Sequence, residues 1–385
     1  MKILIIHSEY QHEGGEDVVV RQEQELLKHD HETRLLLFKN RKGIIGAFQT
    51  FLSPWNIFAG RKIKKAIRSF QPDVVHLHNT HYSIGPIVIH AVKTLDIPLV
   101  MTLHNYRLLC PSAILAHNNQ LYFKSLDEDF PWSAVKDKVH VNSYIKTFWL
   151  AFTYWIHRKA GTWNLPDKYI VFSDFAKANF LRSRIHIDEN KFVVKPNSVP
   201  DYHSDLAPKD DTFLYLGRLS EEKGILPLLN GVAGSGIKLR IAGDGPLKAD
   251  VLKLIQNDPN IHYMGKIGKT EVINTIDHST ALVLPSVCLE GMPISVLEAF
   301  SLGNVAIVCD LGVLKEMVKE HINGFRFDPN DPEDIRQTLR KWLNMPEEER
   351  NIMRKHAREQ YQLHYTDEKN VETLNRIYHE LTQLS

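Results

Sequence analysis

Short apolar runs recur along the whole chain with longer amphipathic segments between them, and this alternation limits what the chain can fold into more than any single motif. A parallel strand buried on both faces reads as a near-continuous apolar run, and successive parallel strands need a crossover, usually a helix. The pattern predicts strands at 2–7, 33–38, 74–78, 99–103 and 169–172 in the first half. A second series follows at 213–217, 239–243, 262–264, 281–285 and 305–309. The stretch 196–211, PNSVPDYHSDLAPKDD, separates them with Pro, Ser and Asp and little apolar content, as a linker does. At roughly 150 residues per domain, 385 residues are enough for two cores. The expected fold class is α/β, with two doubly wound units divided near residue 200.

Charge and cysteine content narrow the function. Lys and Arg number 47 against 46 Asp and Glu, a net charge of +1, so the broad basic field of a nucleic-acid binder is excluded. Cys110, Cys288 and Cys309 lack paired metal-ligand spacing and do not suggest a disulfide framework, which fits a reducing cytoplasm. The first residues, MKILIIHSEY, read as a strand, since the apolar run is too short for a signal peptide. The longest apolar run, 148–156, is followed by His157, Arg158 and Lys159, so any membrane contact is expected to be peripheral. Residues 41–70 are rich in Lys and Arg, contain no acid, and include Phe48, Phe51, Trp55, Ile57 and Phe58. That mixture describes either an amphipathic surface for anionic lipid or a solvated helix pair with an apolar inner side. The aromatic segment 141–161 reads as core.

Four places carry chemistry. Glu290 and Glu298 flank GMPISVL, where Pro293 marks the first turn of a helix and the amides of Gly291, Met292 and Ile294 face a phosphate or a sugar hydroxyl. Taken alone, the two carboxylates also fit a solvated helix start. Arg218 and Lys223, in LGRLSEEKG, follow a predicted strand at the edge where open α/β sheets bind ligands, placed to hold a diphosphate or to cap a helix. Gly14 and Gly15 follow the first strand and precede a helix expected at 17–29, where glycine permits close backbone approach. His104, in MTLHNYRLLCP, ends a strand at the same edge. IAGDGPL at 241–247 adds a glycine-rich turn without dinucleotide-fingerprint spacing.

In order, GGED (14–17), LHNYRLLCP (103–111), VFSDFAKANF (171–180), KPNSVP (195–200), LGRLSEEKG (216–224), AGDGPL (242–247) and the pair Glu290 and Glu298 resemble the retaining family-4 glycosyltransferases. The resemblance implies a GT-B fold: two facing Rossmann-like domains with a central cleft, an acceptor domain at 1–200 completed by a C-terminal helix at 365–385, and a nucleotide-sugar domain at 201–364. It implies that Arg218 and Lys223 hold the donor diphosphate, that Glu298 bonds the ribose hydroxyls, and that Glu290 with the 291–294 backbone holds the transferred sugar. Gly15 would meet the diphosphate and His104 the sugar, while the backbone at Gly265 and Ile267 would read the base. Domain closure over the donor is expected. The implied activity is metal-independent transfer, without a cofactor, from a nucleotide-diphosphate sugar to a glycan or glycolipid acceptor. UDP-sugar is favoured over GDP-mannose, and the setting is the cytoplasm or the inner face of the membrane, with contact to anionic lipid.

Competing readings are weaker. GKIGKT (265–270) would need glycine at Tyr263 to be a phosphate loop. His76, His78 and His81 cluster as in a metal-dependent hydrolase but lack a matching ligand set in the sequence. Asp127, Glu128 and Asp129 read as solvated surface. A non-catalytic sugar-nucleotide-binding protein of the same fold is the remaining alternative.

Overall fold

The computed structural model describes residues 1–10, 14–203 and 209–383, so part of the expected linker (204–208) and the last two residues lie outside the described residues. The described chain divides into two compact units, one of 1–115, 122–197 and 368–385, the other of 116–121 and 198–367.

The first unit is built on the strands β1 (Lys2–Glu9), β2 (Glu32–Lys39), β3 (Val74–Leu77) and β4 (Leu99–Thr102), a small hairpin β5 (Ala116–His117) and β6 (Gln120–Leu121) falling to the second unit, then β7 (Lys168–Val171) and β8 (Phe192–Val194). Its helices are α1 (Gly15–Leu27), α2 (Gly43–Leu52), α3 (Ile57–Phe70), α4 (Ile87–Lys93), α5 (Trp132–Lys136), α6 (Tyr144–Lys159) and α7 (Asp174–Arg182). The sheet is parallel throughout, in the order β2-β1-β3-β4-β7-β8. Register pairs Ile5 with His76 and His76 with Val100, so the residues that end β1, β3 and β4 emerge side by side. Six consecutive residues of β1 are buried, because helices cover both faces; the edge strand β2 is half exposed.

The second unit comprises β9 (Phe213–Leu216), α8 (Ile225–Val232), β10 (Leu239–Ala242), α9 (Lys248–Ile255), β11 (Ile261–Gly265), α10 (Lys269–His278), β12 (Leu282–Leu284), α11 (Ile294–Ser301), β13 (Ala306–Cys309), α12 (Gly312–Met317), β14 (Gly324–Phe327), α13 (Pro332–Asn344) and α14 (Glu347–His364). Its sheet is also parallel, in the order β11-β10-β9-β12-β13-β14. The last helix, α15 (Asp367–Gln383), belongs almost wholly to the first unit, where Leu374, Ile377 and Tyr378 pack with Ile3, Ile5, Val74 and Val100.

All ten strands expected from the sequence are present; β8, β14 and the hairpin were not anticipated. Two expectations need correction. Segment 141–161 is not wholly core: α6 buries Leu150, Ala151 and Tyr154, but its first turns leave Tyr144 and Ile145 in solvent. Pro293 is the cap residue, not the first residue of the helix, which begins at Ile294. Its backbone (φ −70°, ψ 119°) is extended rather than helical, so the turn closes one residue later than expected.

Candidate active site

In the second sheet the chain runs outward from β9 through β10 to β11 and then returns to the other side of β9 with β12. The loops leaving the carboxyl ends of β9 and β12 therefore part in opposite directions, and the crevice between such loops is where open α/β sheets take ligands. The two loops are locked together by backbone. Gly224 adopts φ +67°, and a Cβ there would lie 1.8 Å from the Pro285 carbonyl oxygen, so only glycine fits. The Val287 amide donates to the Glu222 carbonyl at 3.0 Å.

On this frame Lys223 Nζ reaches Glu290 Oε1 at 2.6 Å, and Ser286 Oγ donates to the same oxygen at 2.5 Å. Burial alone would lower the Lys223 pKa, but the adjoining Glu290 carboxylate more than offsets it and the ammonium is held charged. Arg218 is exposed, and its guanidinium has no ion pair or side-chain hydrogen bond among the described residues. The site thus holds one committed cation, one open cation, and a carboxylate whose second oxygen is free to accept.

Glu298 is the fifth residue of α11 and only 4% exposed. Burial raises its pKa, and Lys269, whose Nζ donates to Oε1, opposes that rise. Lys269 also lies over the Tyr202 ring, 5.0 Å from its centroid. At the start of α11 the Val296 amide bonds the Pro293 carbonyl, whereas the amides of Ile294 and Ser295 are open among the described residues. Gly291, Pro293 and Ile294 are half-buried and Met292 is buried, so this segment offers backbone rather than side chains. Gly265 (φ +74°) and Ile267 lie further along the same edge, where the Gly243 amide donates to the Gly265 carbonyl at 2.8 Å.

The first unit gathers a second cluster where β1, β3 and β4 end. Gly14 caps α1 and Gly15 begins it; among the described residues nothing lies within 4 Å of where a Gly15 Cβ would project, so its backbone is approachable from them. Asp17 fixes this turn, accepting the Gly14 amide at 2.9 Å and bonding His7 Nε2 at 2.8 Å. His104 Nε2 lies 3.0 Å from His78 Nδ1, and His78 Nε2 lies 3.5 Å from Glu23 Oε2. The other Glu23 oxygen holds the buried Lys195 ammonium. Burial, followed by the neighbouring positive charges, pushes the pKa of both imidazoles well down, so both are neutral at pH 7. His78 Nε2 and Glu23 Oε2 make no hydrogen bond at that distance, so the two neutral imidazoles share one proton across the His78 Nδ1–His104 Nε2 contact and the His104 ring keeps Nδ1 for another partner.

Glu23, His76 and His78 bring donor atoms within 4.8 Å of one another, the geometry of a cation site. Both His76 nitrogens are already engaged, by Tyr378 OH and Thr102 Oγ1 at 2.7 Å each, and Lys195 sits on Glu23. With His76 and one Glu23 oxygen so engaged, the set is read as structural, although Glu23 Oε2 and His78 Nε2 make no hydrogen bond among the described residues; His81 does not join it. Burial, helped by Lys195, drives His76 down to about 3. An imidazole held neutral in the fold but free to protonate near 6.5 when unfolded stabilises fully above pH 6.5 and progressively less as pH falls. Through His76 the first unit is expected to lose about 2 kcal/mol between pH 7 and pH 5. Denaturant midpoints at the two pH values check this, and an unchanged midpoint in His76→Gln relative to wild type across that range would contradict it.

Every residue singled out in the sequence occupies a carboxyl edge: Arg218, Lys223, Glu290, the 291–294 backbone, Glu298, Gly265 and Ile267 in one unit, Gly15 and His104 in the other. Sequence reasoning missed Ser286, Lys269, Glu23 and Lys195. Lys269 stood within GKIGKT, and the lysine of KPNSVP is Lys195, but neither motif indicates which carboxylate its lysine reaches.

Two doubly wound parallel α/β units with loops at their carboxyl edges are the architecture of the GT-B fold. Sucrose-phosphate synthase from Thermosynechococcus elongatus superimposes over 100% of both chains with a TM-score of 0.74 at 15% identity, a likeness of fold. The sequence model for glycosyl transferases group 1 matches residues 188–360 and that for Glycosyltransferase Family 4 matches 13–201, and the chain belongs to this family. Similar curated proteins include the D-rhamnosyltransferase WbpZ of Pseudomonas aeruginosa, 27% identical over 40% of this chain and 41% of that one. Another is the UDP-Gal:alpha-D-GlcNAc-diphosphoundecaprenol alpha-1,3-galactosyltransferase of Escherichia coli, 30% identical over 36% of this chain and 35% of that one. The aligned segments thus span about two fifths of these relatives or less.

Proposed function

We propose that the protein is a retaining hexosyltransferase that moves a sugar from a nucleotide-diphosphate sugar, UDP-linked in preference to GDP-mannose, onto a lipid-linked or growing surface glycan, without a metal. The observation that carries the reading is the β9–β12 crevice, with open Arg218 beside the Lys223–Glu290 pair and the α11 amides. When the bond from the anomeric carbon to the phosphate oxygen breaks, its electron pair goes to the diphosphate. Arg218 and Lys223 are the preorganised cations for that charge, each such donor being worth about 3 kcal/mol of barrier. The acceptor hydroxyl attacks the same face of the sugar, and its proton passes to the leaving phosphate oxygen, so no protein nucleophile is needed. Lys223 occupies one Glu290 oxygen and Lys269 one Glu298 oxygen, which leaves one on each to accept from sugar and ribose hydroxyls. In the first unit, the open backbone at Gly15 is assigned to phosphate and His104 Nδ1 to a sugar hydroxyl. The galactosyltransferase relative, whose name gives UDP-Gal and a diphosphoundecaprenol acceptor, supports the donor and acceptor classes.

A thermal-shift panel of UDP, GDP and ADP, followed by NMR of the product anomer, tests the reading. UDP at 100 times its Kd should stabilise by about 2.7 kcal/mol; no stabilisation by any of the three, or an inverted anomer, would count against it.

Among the described residues no helix is long and apolar enough to cross a membrane. Peripheral contact is part of the proposal. No residue of α2 is buried, and Ile44 is 90% exposed; Phe51 stacks on Trp149 of α6 at 5.3 Å, and Ile145 of α6 is 81% exposed. Arg61, Lys64, Lys65 and Arg68 line one face of α3. Apolar groups beside cations suit anionic headgroups over acyl chains. The protein should sediment with phosphatidylglycerol vesicles and not with phosphatidylcholine ones, with binding lowered about tenfold in Ile44→Ser/Phe48→Ser; equal sedimentation of both vesicle types would remove the headgroup assignment.

A further inference from the structure

Arg107 follows β4 in the turn that also carries His104; the residue is half-buried, and its guanidinium forms no ion pair among the described residues. Nε and Nη1 are sealed from solvent and have no hydrogen-bond partner among the described residues. The groups within electrostatic reach are Tyr10, Tyr82, Tyr154, Glu16, His81, Cys110 and His140, and Glu128 and Asp129 line the cavity beside it, all in the first unit. None of the three acids pairs with it: Glu16 accepts from Asn79 Nδ2 at 2.7 Å and from Tyr10 OH at 2.9 Å, Glu128 from the Ser133 amide and hydroxyl at 3.0 Å each, and Asp129 holds Arg158 and Lys159. Burial raises the Glu16 pKa and lowers those of His81 and His140, so the surroundings tend to neutrality while the guanidinium stays charged. Tyr82 OH and His140 Nε2 bond each other at 2.6 Å. A buried charge without an opposite charge is costly, and such a site persists where a bound anion completes it.

We propose that Arg107, ringed by Tyr10, Tyr82 and Tyr154, receives a phosphoryl group carried by the lipid-linked acceptor. Guanidinium is the side chain best matched to phosphate, through charge-assisted hydrogen bonds from a planar donor set. The carrier follows from α6. Tyr154 and Trp155 of α6 line the cavity beside Arg107, and the Trp155 ring meets Phe130 at 5.6 Å and Phe152 at 6.2 Å. One helix thus supplies a phenol to the anion pocket and the start of an aromatic cluster for the chain attached to the anion. The identity of the carrier rests on the reading proposed above; the anion site does not.

The test uses the full chain, with UDP at saturation to occupy the β9–β12 crevice, farnesyl diphosphate, farnesol and inorganic phosphate as probes, and the variants Arg107→Met and Arg107→Lys. Farnesyl diphosphate should bind more than tenfold more weakly to Arg107→Met than to wild type, and several-fold more weakly to Arg107→Lys. Farnesol binding should ignore residue 107. Removal of an uncompensated charge should also raise the ligand-free Tm of Arg107→Met by about 2–4 °C. If Arg107→Met does not fold, the Arg107→Lys affinity decides. Equal affinity for inorganic phosphate and farnesyl diphosphate would overturn the lipid assignment in favour of free phosphate. Unchanged binding in both Arg107 variants would overturn the site, leaving water from the adjoining cavity of about 40 Å³ as the partner of the guanidinium. A residue-107 effect without any nucleotide binding would uphold the anion site and defeat the transferase reading instead.

Discussion

Arg218→Ala is expected to lower kcat/KM for sugar transfer by 10²–10³-fold, roughly the effect of removing one preorganised donor from a developing negative charge. The same change should leave stability within about 0.5 kcal/mol, because the guanidinium is exposed and makes no side-chain bond among the described residues. This separation of activity from stability distinguishes Arg218 from Lys223. Lys223→Ala would remove a donor to the leaving phosphate and also strip Glu290 of its cation, so a fall in both activity and Tm is anticipated there. Steady-state kinetics with denaturation of the same samples would decide; transfer by Arg218→Ala at the wild-type rate would show that the diphosphate is held elsewhere, or that the protein binds the donor without catalysis.

The second large effect lies away from the chemistry. Lys195 and Glu23 are 1% and 2% exposed and bonded to each other. Glu23→Ala would leave a buried ammonium unpaired, and the first unit is expected to lose about 3–5 kcal/mol. The double variant Glu23→Leu/Lys195→Met should recover most of the stability, since it buries no lone charge. Two units make two transitions expected in urea, so the loss should appear in the one reported by the buried Trp163 of the first unit. A loss below about 1 kcal/mol in Glu23→Ala would mean that Lys195 finds water or another acceptor.

Much of this architecture was legible because its strands are apolar runs buried on both faces, and β1, β9 and β13 could hardly be read otherwise. The missed strands are short and less typical: β8 is three residues long and half exposed at a sheet edge, and β14 contains Gly324 and Arg326. The candidate site was legible as far as glycine, proline and charge mark loops at strand ends. Pairing was not. Lys223 with Glu290 spans 67 residues, Lys269 with Glu298 spans 29, and Lys195 with Glu23 spans 172, so each depends on the order of strands in a sheet. Arg107 stood within LHNYRLLCP, but that its guanidinium is left without a partner emerges only once β3, β4 and α6 are in place. The exposure of the first turns of α6 was not legible for a related reason: helical spacing of aromatics is the same whether the stripe faces a core or solvent.

If the β9–β12 crevice of the second unit is the donor site, hydrogen exchange with and without UDP will register it, because amides at a ligand-ordered loop open less often when the ligand is bound. The expected result is protection at 217–224 and 286–295, with a smaller effect at 265–267. It should disappear in Arg218→Ala at the same UDP concentration. Protection confined to other loops, or none at saturating UDP, would contradict the account.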